Sequence, residues 1–180
     1  MKYCYSTNGF KNHSFDESFQ ILSSLGYHGV EVAITIEHFP QLNLLKQANA
    51  LLNASKKYKL PITNIHAGEP FLLSNIAHYP SIITVNKQER LKKNLFIKDV
   101  IELANEIGCQ NVTITSGLLE NGQDRKSAWP ILLESISRCL ELLYPKMQLL
   151  MEQEPEMFVA TTDDLLLLIK ETEHRLKINL

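Results

Sequence analysis

Residues 148–158 read QLLMEQEPEMF. An apolar run, Leu149-Leu150-Met151, meets three carboxylates, Glu152, Glu154 and Glu156, with Pro155 among them. A short apolar run closed by turn residues is the pattern of a buried strand. An acid placed directly after it lies at the strand's end rather than out in the loop. The stretch therefore reads as a strand that delivers Glu152 to its carboxyl end, and the kind of sheet that receives this strand decides the fold.

On both sides of it, short β-prone runs alternate with amphipathic stretches. Tyr3 to Ser6, Val30 to Ile34, Ile62 to Ile65, Val112 to Thr115 and the start of a sixth strand over Leu176 to Leu180 are the other strand candidates. Between the first two, Ser14-Phe15-Asp16-Glu17 is a capping box, in which the Ser and Glu side chains satisfy the free amides of a helix start. Phe15, Phe19, Leu22 and Leu25 mark one face of that helix, and Gly26 closes it. Further helices are predicted within Leu44 to Tyr58, from about Gln88 to Ile107 with Leu91, Leu95, Val100, Leu103, Ala104 and Ile107 as its apolar positions, and from about Lys126 to Leu143. Thr161 to Asp164 is another capped start, leading into Leu165 to Lys170. The segment from Ala67 to Val85 is long and irregular.

Strand–helix alternation at this spacing predicts an α/β fold of parallel strands joined by right-handed helical crossovers. An open doubly wound sheet and a segment of a barrel both satisfy it. No GxGxxG follows the first strand and no GxxxxGK[ST] occurs, so the nucleotide-binding forms of the open sheet lose support. A complete (β/α)8 barrel takes ~250 residues. About five and a half units in 180 residues fit a partial (β/α)8 TIM barrel cut in its sixth strand, a single domain over residues 1–180.

Composition narrows the function classes. Hydrophobic residues at 44% and charged residues at 21% allow a folded core rather than disorder. A net charge of −2 supplies no attraction to nucleic acid or an anionic membrane, so neither is an expected partner. The longest aliphatic run, Leu165 to Ile169, is too short to span a bilayer. Cys4, Cys109 and Cys139 are scattered and odd in number, which suits a reducing, cytoplasmic setting. Ser116-Gly117 lacks the GxSxG elbow, and no cysteine has a neighbouring base, so nucleophilic catalysis has no support.

Ligands of parallel α/β folds bind at the carboxyl ends of the strands. The residues placed there are Asn8, Glu31, Glu37, His38, His66, Glu69, Ser116, Glu152 and Glu154. Glu152 is the sharpest of them, as a hard oxygen ligand for a divalent ion or as a salt-bridged strand-end acid. His66, just past an apolar strand, is either a structural histidine or a site residue.

Tyr5-Ser6-Thr7-Asn8-Gly9-Phe10, then Leu25-Gly26-Tyr27-His28-Gly29-Val30-Glu31, resembles the opening of xylose isomerase-like TIM-barrel proteins. This is the group of sugar phosphate isomerases and epimerases that includes endonuclease-IV-like proteins. Glu152-Gln153-Glu154-Pro155 resembles the group's fifth-strand motif, and Leu176 to Leu180 its sixth strand. The resemblance implies a divalent metal (Zn, Mn, Mg or Co) held by Glu, Asp, His and Glu from strands five to eight, of which this sequence matches Glu152. It implies a sugar-like small-molecule substrate and proton transfer between adjacent carbons, with His66, Asn8 and Glu154 facing the substrate. The resembling part is the N-terminal two-thirds of such a barrel. The expectation is therefore an isomerase or epimerase in full-length form and an inactive 180-residue chain. A lyase or dehydratase on the same scaffold, or a non-catalytic metabolite- or protein-binding fragment, remain as alternatives. Open strand edges would favour a homo-oligomer.

Overall fold

The structure, a computed structural model, describes residues 1–179. Six strands, β1 (Cys4–Ser6), β2 (Gly29–Ala33), β3 (Ile62–His66), β4 (Asn111–Thr115), β5 (Gln148–Glu152) and β6 (Lys177–Asn179), form one sheet in the order β1-β2-β3-β4-β5-β6. Every neighbouring pair is parallel. A doubly wound sheet reverses its strand order at a switch point; this one never does, which is the order of a barrel. The predicted sixth strand is present over Lys177–Asn179, and Leu180 lies outside the described residues.

Helices α1 (Phe15–Ser24), α2 (Ala48–Tyr58), α3 (Lys87–Glu106), α4 (Arg125–Glu141) and α5 (Thr162–Glu171) supply the crossovers. The capping box at the start of α1 is made: Ser14 Oγ accepts from the Glu17 amide, and Glu17 Oε2 accepts from the Ser14 amide at 2.8 Å. Thr161 and Asp164 build the same device on α5. Pro130 lies inside α4 on its exposed side.

Alternation along the strands separates two faces. Val30, Val32, Ile65, Val112, Ile114, Leu149 and Met151 are all fully buried in the core, together with helix residues such as Phe19, Leu51, Ile97, Leu132 and Leu168. The opposite face carries Glu31, Asn64, His66, Thr113, Thr115, Glu152 and Asn179. A parallel sheet covered by helices on both sides would have apolar residues at those positions too. The polar inner face marks the concave side of an open barrel.

Two apolar assignments from the sequence are reversed. Leu25 is 68% exposed because it caps α1 rather than packing on its inner face. In α3, Leu91 and Leu95 are about half exposed, while Arg90 and Lys93 are buried. The N-terminal half of α3 packs under the β3–α3 connection instead of the sheet, and that connection offers backbone carbonyls. Arg90 donates to Thr84 O and to Val85 O, and Lys93 Nζ donates to Ala67 O at 2.9 Å. The two cations meet the need of buried carbonyls for donors, and the leucines are left outside.

Candidate active site

The parallel register assembles the inner face. Glu31 is paired with Asn64, Thr115 with Glu152, and Glu152 with Asn179. Strand pairing thus sets Glu152 between two polar neighbours, and the twist of the sheet brings His66 of β3 onto it. His66 Nε2 lies 3.0 Å from Glu152 Oε2 across 86 residues of sequence. Asn179 Nδ2 donates to the same oxygen at 3.1 Å. The Gly68 amide donates to His66 Nδ1 at 3.2 Å. In the neutral ring this assigns the proton to Nε2, so the imidazole is a donor aimed at the carboxylate.

Gly68 is required for that arrangement. A Cβ at this position would stand 2.6 Å from His66 Cε1 and 2.7 Å from Thr115 Cγ2. Only a residue without a side chain lets the backbone close over the imidazole. Deeper on the inner face, Asn64 Nδ2 donates to Glu31 Oε2 at 2.7 Å and to Thr113 Oγ1 at 2.8 Å. Glu31 is thereby held as a paired acid on the inner face.

The electrostatics push two carboxyls apart. The hydrogen bond from His66 holds Glu152 below the ordinary carboxylate range, against the opposing effect of burial. Burial pushes Glu154 up, and the nearby Glu152 and Glu69 charges push it further, although His66 pulls it down. For His66 itself, burial pulls downward but is outweighed by the Glu152 hydrogen bond and the charges of Glu31, Glu152 and Glu154, so the net direction is up. The Gly68 amide facing Nδ1 opposes that rise, since an imidazolium cannot accept it.

A cleft of about 600 Å³ runs along the concave face and is lined by Tyr5, Ser6, Asn8, Glu31, Asn64, Glu152 and Asn179 among others. Asn8, in the turn after β1, therefore faces the same space as Glu152. Other strand-end residues lie elsewhere. His38 is buried, stacked on Phe15 with ring centroids 4.8 Å apart, and bonded to Thr35 Oγ1 and His13 O, which makes it a structural histidine. Glu69 pairs with Lys11 at 2.9 Å. Ser116 Oγ accepts from the Val159 amide at 2.9 Å and ties down the connection after β5. Asn179 was missed in the sequence because an Asn at a chain's end has no local pattern; its pairing with Glu152 exists only through the β5–β6 register.

The donor set does not by itself fit a divalent ion. Among the described residues no three His, Cys, Asp or Glu side chains converge as a metal site needs. Glu152 and His66 are suitable donor types, but here they are engaged with each other.

An open parallel α/β barrel with His66, Glu152 and Asn179 clustered at the carboxyl ends of its strands is the class these features define. The family model for the xylose isomerase-like TIM barrel matches residues 19–180, and the chain belongs to that family. No curated protein matches the sequence. Among solved structures, the apo form of 3-keto-D-glucoside 4-epimerase YcjR from E. coli is similar, with a TM-score of 0.79 and 16% identity over 99% of this chain and 67% of that one. The family 2 AP endonuclease from Brucella melitensis has a TM-score of 0.78 at 17% identity, over 99% of this chain and 67% of that one. The probable 3-DHS dehydratase AsbF from Bacillus anthracis has a TM-score of 0.74 at 22% identity, over 100% of this chain and 62% of that one. This chain thus spans roughly two thirds of the length of these proteins, and the six-stranded partial barrel is the part they share with it.

Proposed function

We propose that this chain carries the acid–base half of a sugar or sugar-phosphate isomerase or epimerase, which takes a proton from the carbon beside a carbonyl and returns one to the adjacent carbon (isomerisation) or to the opposite face of the same carbon (epimerisation). The observation that carries the reading is the pair of carboxyls, Glu152 and Glu154, driven in opposite directions around one histidine at the carboxyl ends of parallel strands. Groups whose environments separate their proton affinities divide acid and base roles. Glu152, kept ionised by His66 and Asn179, is the base that takes the proton beside the carbonyl. Glu154, whose carboxyl holds its proton more firmly, is the acid that returns one. His66 orients Glu152 and absorbs part of its charge, and Asn8 on the cleft wall faces the substrate's hydroxyls.

The family resemblance adds a divalent metal with Glu152 as one ligand. Such an ion would polarise the substrate oxygen, and it would require donors beyond those the described residues bring together. Similarity to a sugar epimerase supports the isomerase reading, and similarity to a probable dehydratase supports elimination from the same abstracted proton as a second reading. The substrate cleft is large enough for a small polyol, and no helix among the described residues is long and apolar enough to cross a membrane.

The test is proton exchange. Ketoses, ketose phosphates and 3-keto sugars are incubated with the protein in deuterated water, and deuterium next to the carbonyl is followed by NMR. In a complete barrel carrying this segment, the wild type is expected to wash in deuterium and Glu152→Gln to lose at least a hundredfold, the lower range for a positioned acid or base. Equal exchange in both proteins would sink the reading, whereas loss of water with an enone product would move it to the dehydratase.

A further inference from the structure

We propose that the cavity under residues 68–81 is a subsite for a carboxylate group, anchored by the ammonium of Lys93 with the hydroxyls of Ser81 and Thr115 beside it. The cavity has a volume of about 10 Å³ and is lined by Gly68, Glu69, His78, Ser81, Lys93 and Thr115 among others. It adjoins the acid–base cluster through two of these residues, since Thr115 pairs with Glu152 in the sheet and Gly68 bonds His66.

Lys93 is the unusual member. Its side chain is 7% exposed, yet it takes part in no ion pair among the described residues. An ammonium has three donors, and Ala67 O accepts one of them. A buried cation without a counter-ion is costly. The Phe96 ring, its centroid 5.0 Å from Nζ, offsets part of that cost; further relief comes from giving up the proton or from admitting an anion, and burial does hold this amine down, at about 8.

The neighbouring charges do not fill the role. Glu69 lines the same cavity but is engaged by Lys11 at 2.9 Å. Burial and the nearby Lys93 both lower His78, which keeps that ring neutral near pH 7. The Cys139 thiol, also within reach of the Lys93 charge, is pushed up by burial to about 12 and stays protonated.

Size then selects the anion. About 10 Å³ is the room a single water needs, so only one oxygen of an anion can enter; a planar carboxylate leaves one oxygen at the mouth, where a tetrahedral phosphate would leave three beside the Glu69 carboxylate. Glu69, His78 and Tyr79 on the rim are partly exposed, which leaves the cavity an edge on solvent. The substrate class this predicts is a keto acid or acid sugar rather than a sugar phosphate. That the carboxylate is the substrate's own rests on the acid–base reading of Glu152; the anion site does not.

The experiment follows the lysine Cε carbons by NMR in protein carrying ¹³C-lysine, with Lys93→Met assigning the Lys93 signal. Formate is expected to move that signal and raise its titration midpoint above 8. Formate that binds the ammonium tenfold more tightly than the amine raises the midpoint by about one pH unit. Phosphate at equal ionic strength is expected to leave it in place. A Lys93 signal indifferent to formate, or one that phosphate moves equally, overturns the proposal. Running the deuterium exchange beside the titration separates the two readings: a formate response with equal proton exchange in wild type and Glu152→Gln retires the acid–base assignment and leaves the subsite standing.

Discussion

Replacing Lys93 by Met should make this protein more stable at neutral pH, although it deletes a buried hydrogen bond. Burial lowers the Lys93 ammonium from its ordinary 10.5 to about 8. At about 1.36 kcal/mol per pH unit, the folded state loses about 3.4 kcal/mol at pH 7 by holding that proton in the interior. Methionine has nearly the same length and carries no charge, so the loss disappears. Against it stands the Ala67 carbonyl left without a donor, which costs about 1–1.5 kcal/mol if water reaches it in part. The net expectation is a gain of about 2 kcal/mol at pH 7, or roughly 4–8 °C in melting temperature for a chain of this size.

The pH dependence supplies the decisive sign. Between 8 and 10.5 the unfolded lysine binds a proton that the folded one has released, so this group makes stability rise with pH across that window. By pH 10 most of the wild-type penalty is gone, and the advantage of Lys93→Met should shrink to about zero. Urea denaturation of both proteins at pH 7 and pH 10 measures the difference, and other alkaline titrations cancel in the comparison. A variant that is less stable than wild type at pH 7, or equally displaced at both pH values, would refute the picture of an unpaired buried ammonium.

The His66–Glu152 pair has its own window. His66 is raised from 6.5, so its contribution is present below that value and is lost as pH climbs through the folded midpoint. Glu152 is lowered from 4.5, so its contribution is present above that value and is lost as pH falls. The stability difference between wild type and Glu152→Gln should therefore peak between 4.5 and 6.5, and His66 in the variant should titrate lower by ring-proton NMR; a flat difference would contradict the pairing. Gly117→Ala should destabilise by about 2–4 kcal/mol in urea melts, combining the left-handed backbone cost with overpacking. Gly117 has φ +86°, and a Cβ there would sit 2.2 Å from Ser81 Cβ; a change below about 1 kcal/mol would mean that the connection moves freely.

The elements legible in the sequence share one property: their causes are local. Ser14 and Glu17 close their own helix start, and three apolar residues before Glu152 announce a strand that ends at an acid. The consecutive spacing of such units implied the parallel order that the sheet adopts. The failures have equally specific causes. Leu91 and Leu95 follow the helical period, but which side of α3 is covered depends on a connection that carries three carbonyls needing donors, and Arg90 and Lys93 meet that need better than leucine does.

The site divides along the same line. The sequence by itself determined that Glu152 stands at a strand's end, that His66 and Asn8 follow other strands, and that a barrel face would gather strand ends. Only the tertiary structure decided that His66 closes on Glu152 across 86 residues, that Asn179 joins them, and that Glu31 is taken up by Asn64. Sequence periodicity records which way a side chain points along its own element, whereas contacts between strands depend on register and twist. Lys93 shows the limit most sharply. Its burial follows from the path of residues 67–85, and nothing in its own neighbours along the chain separates it from the solvated lysine at position 92.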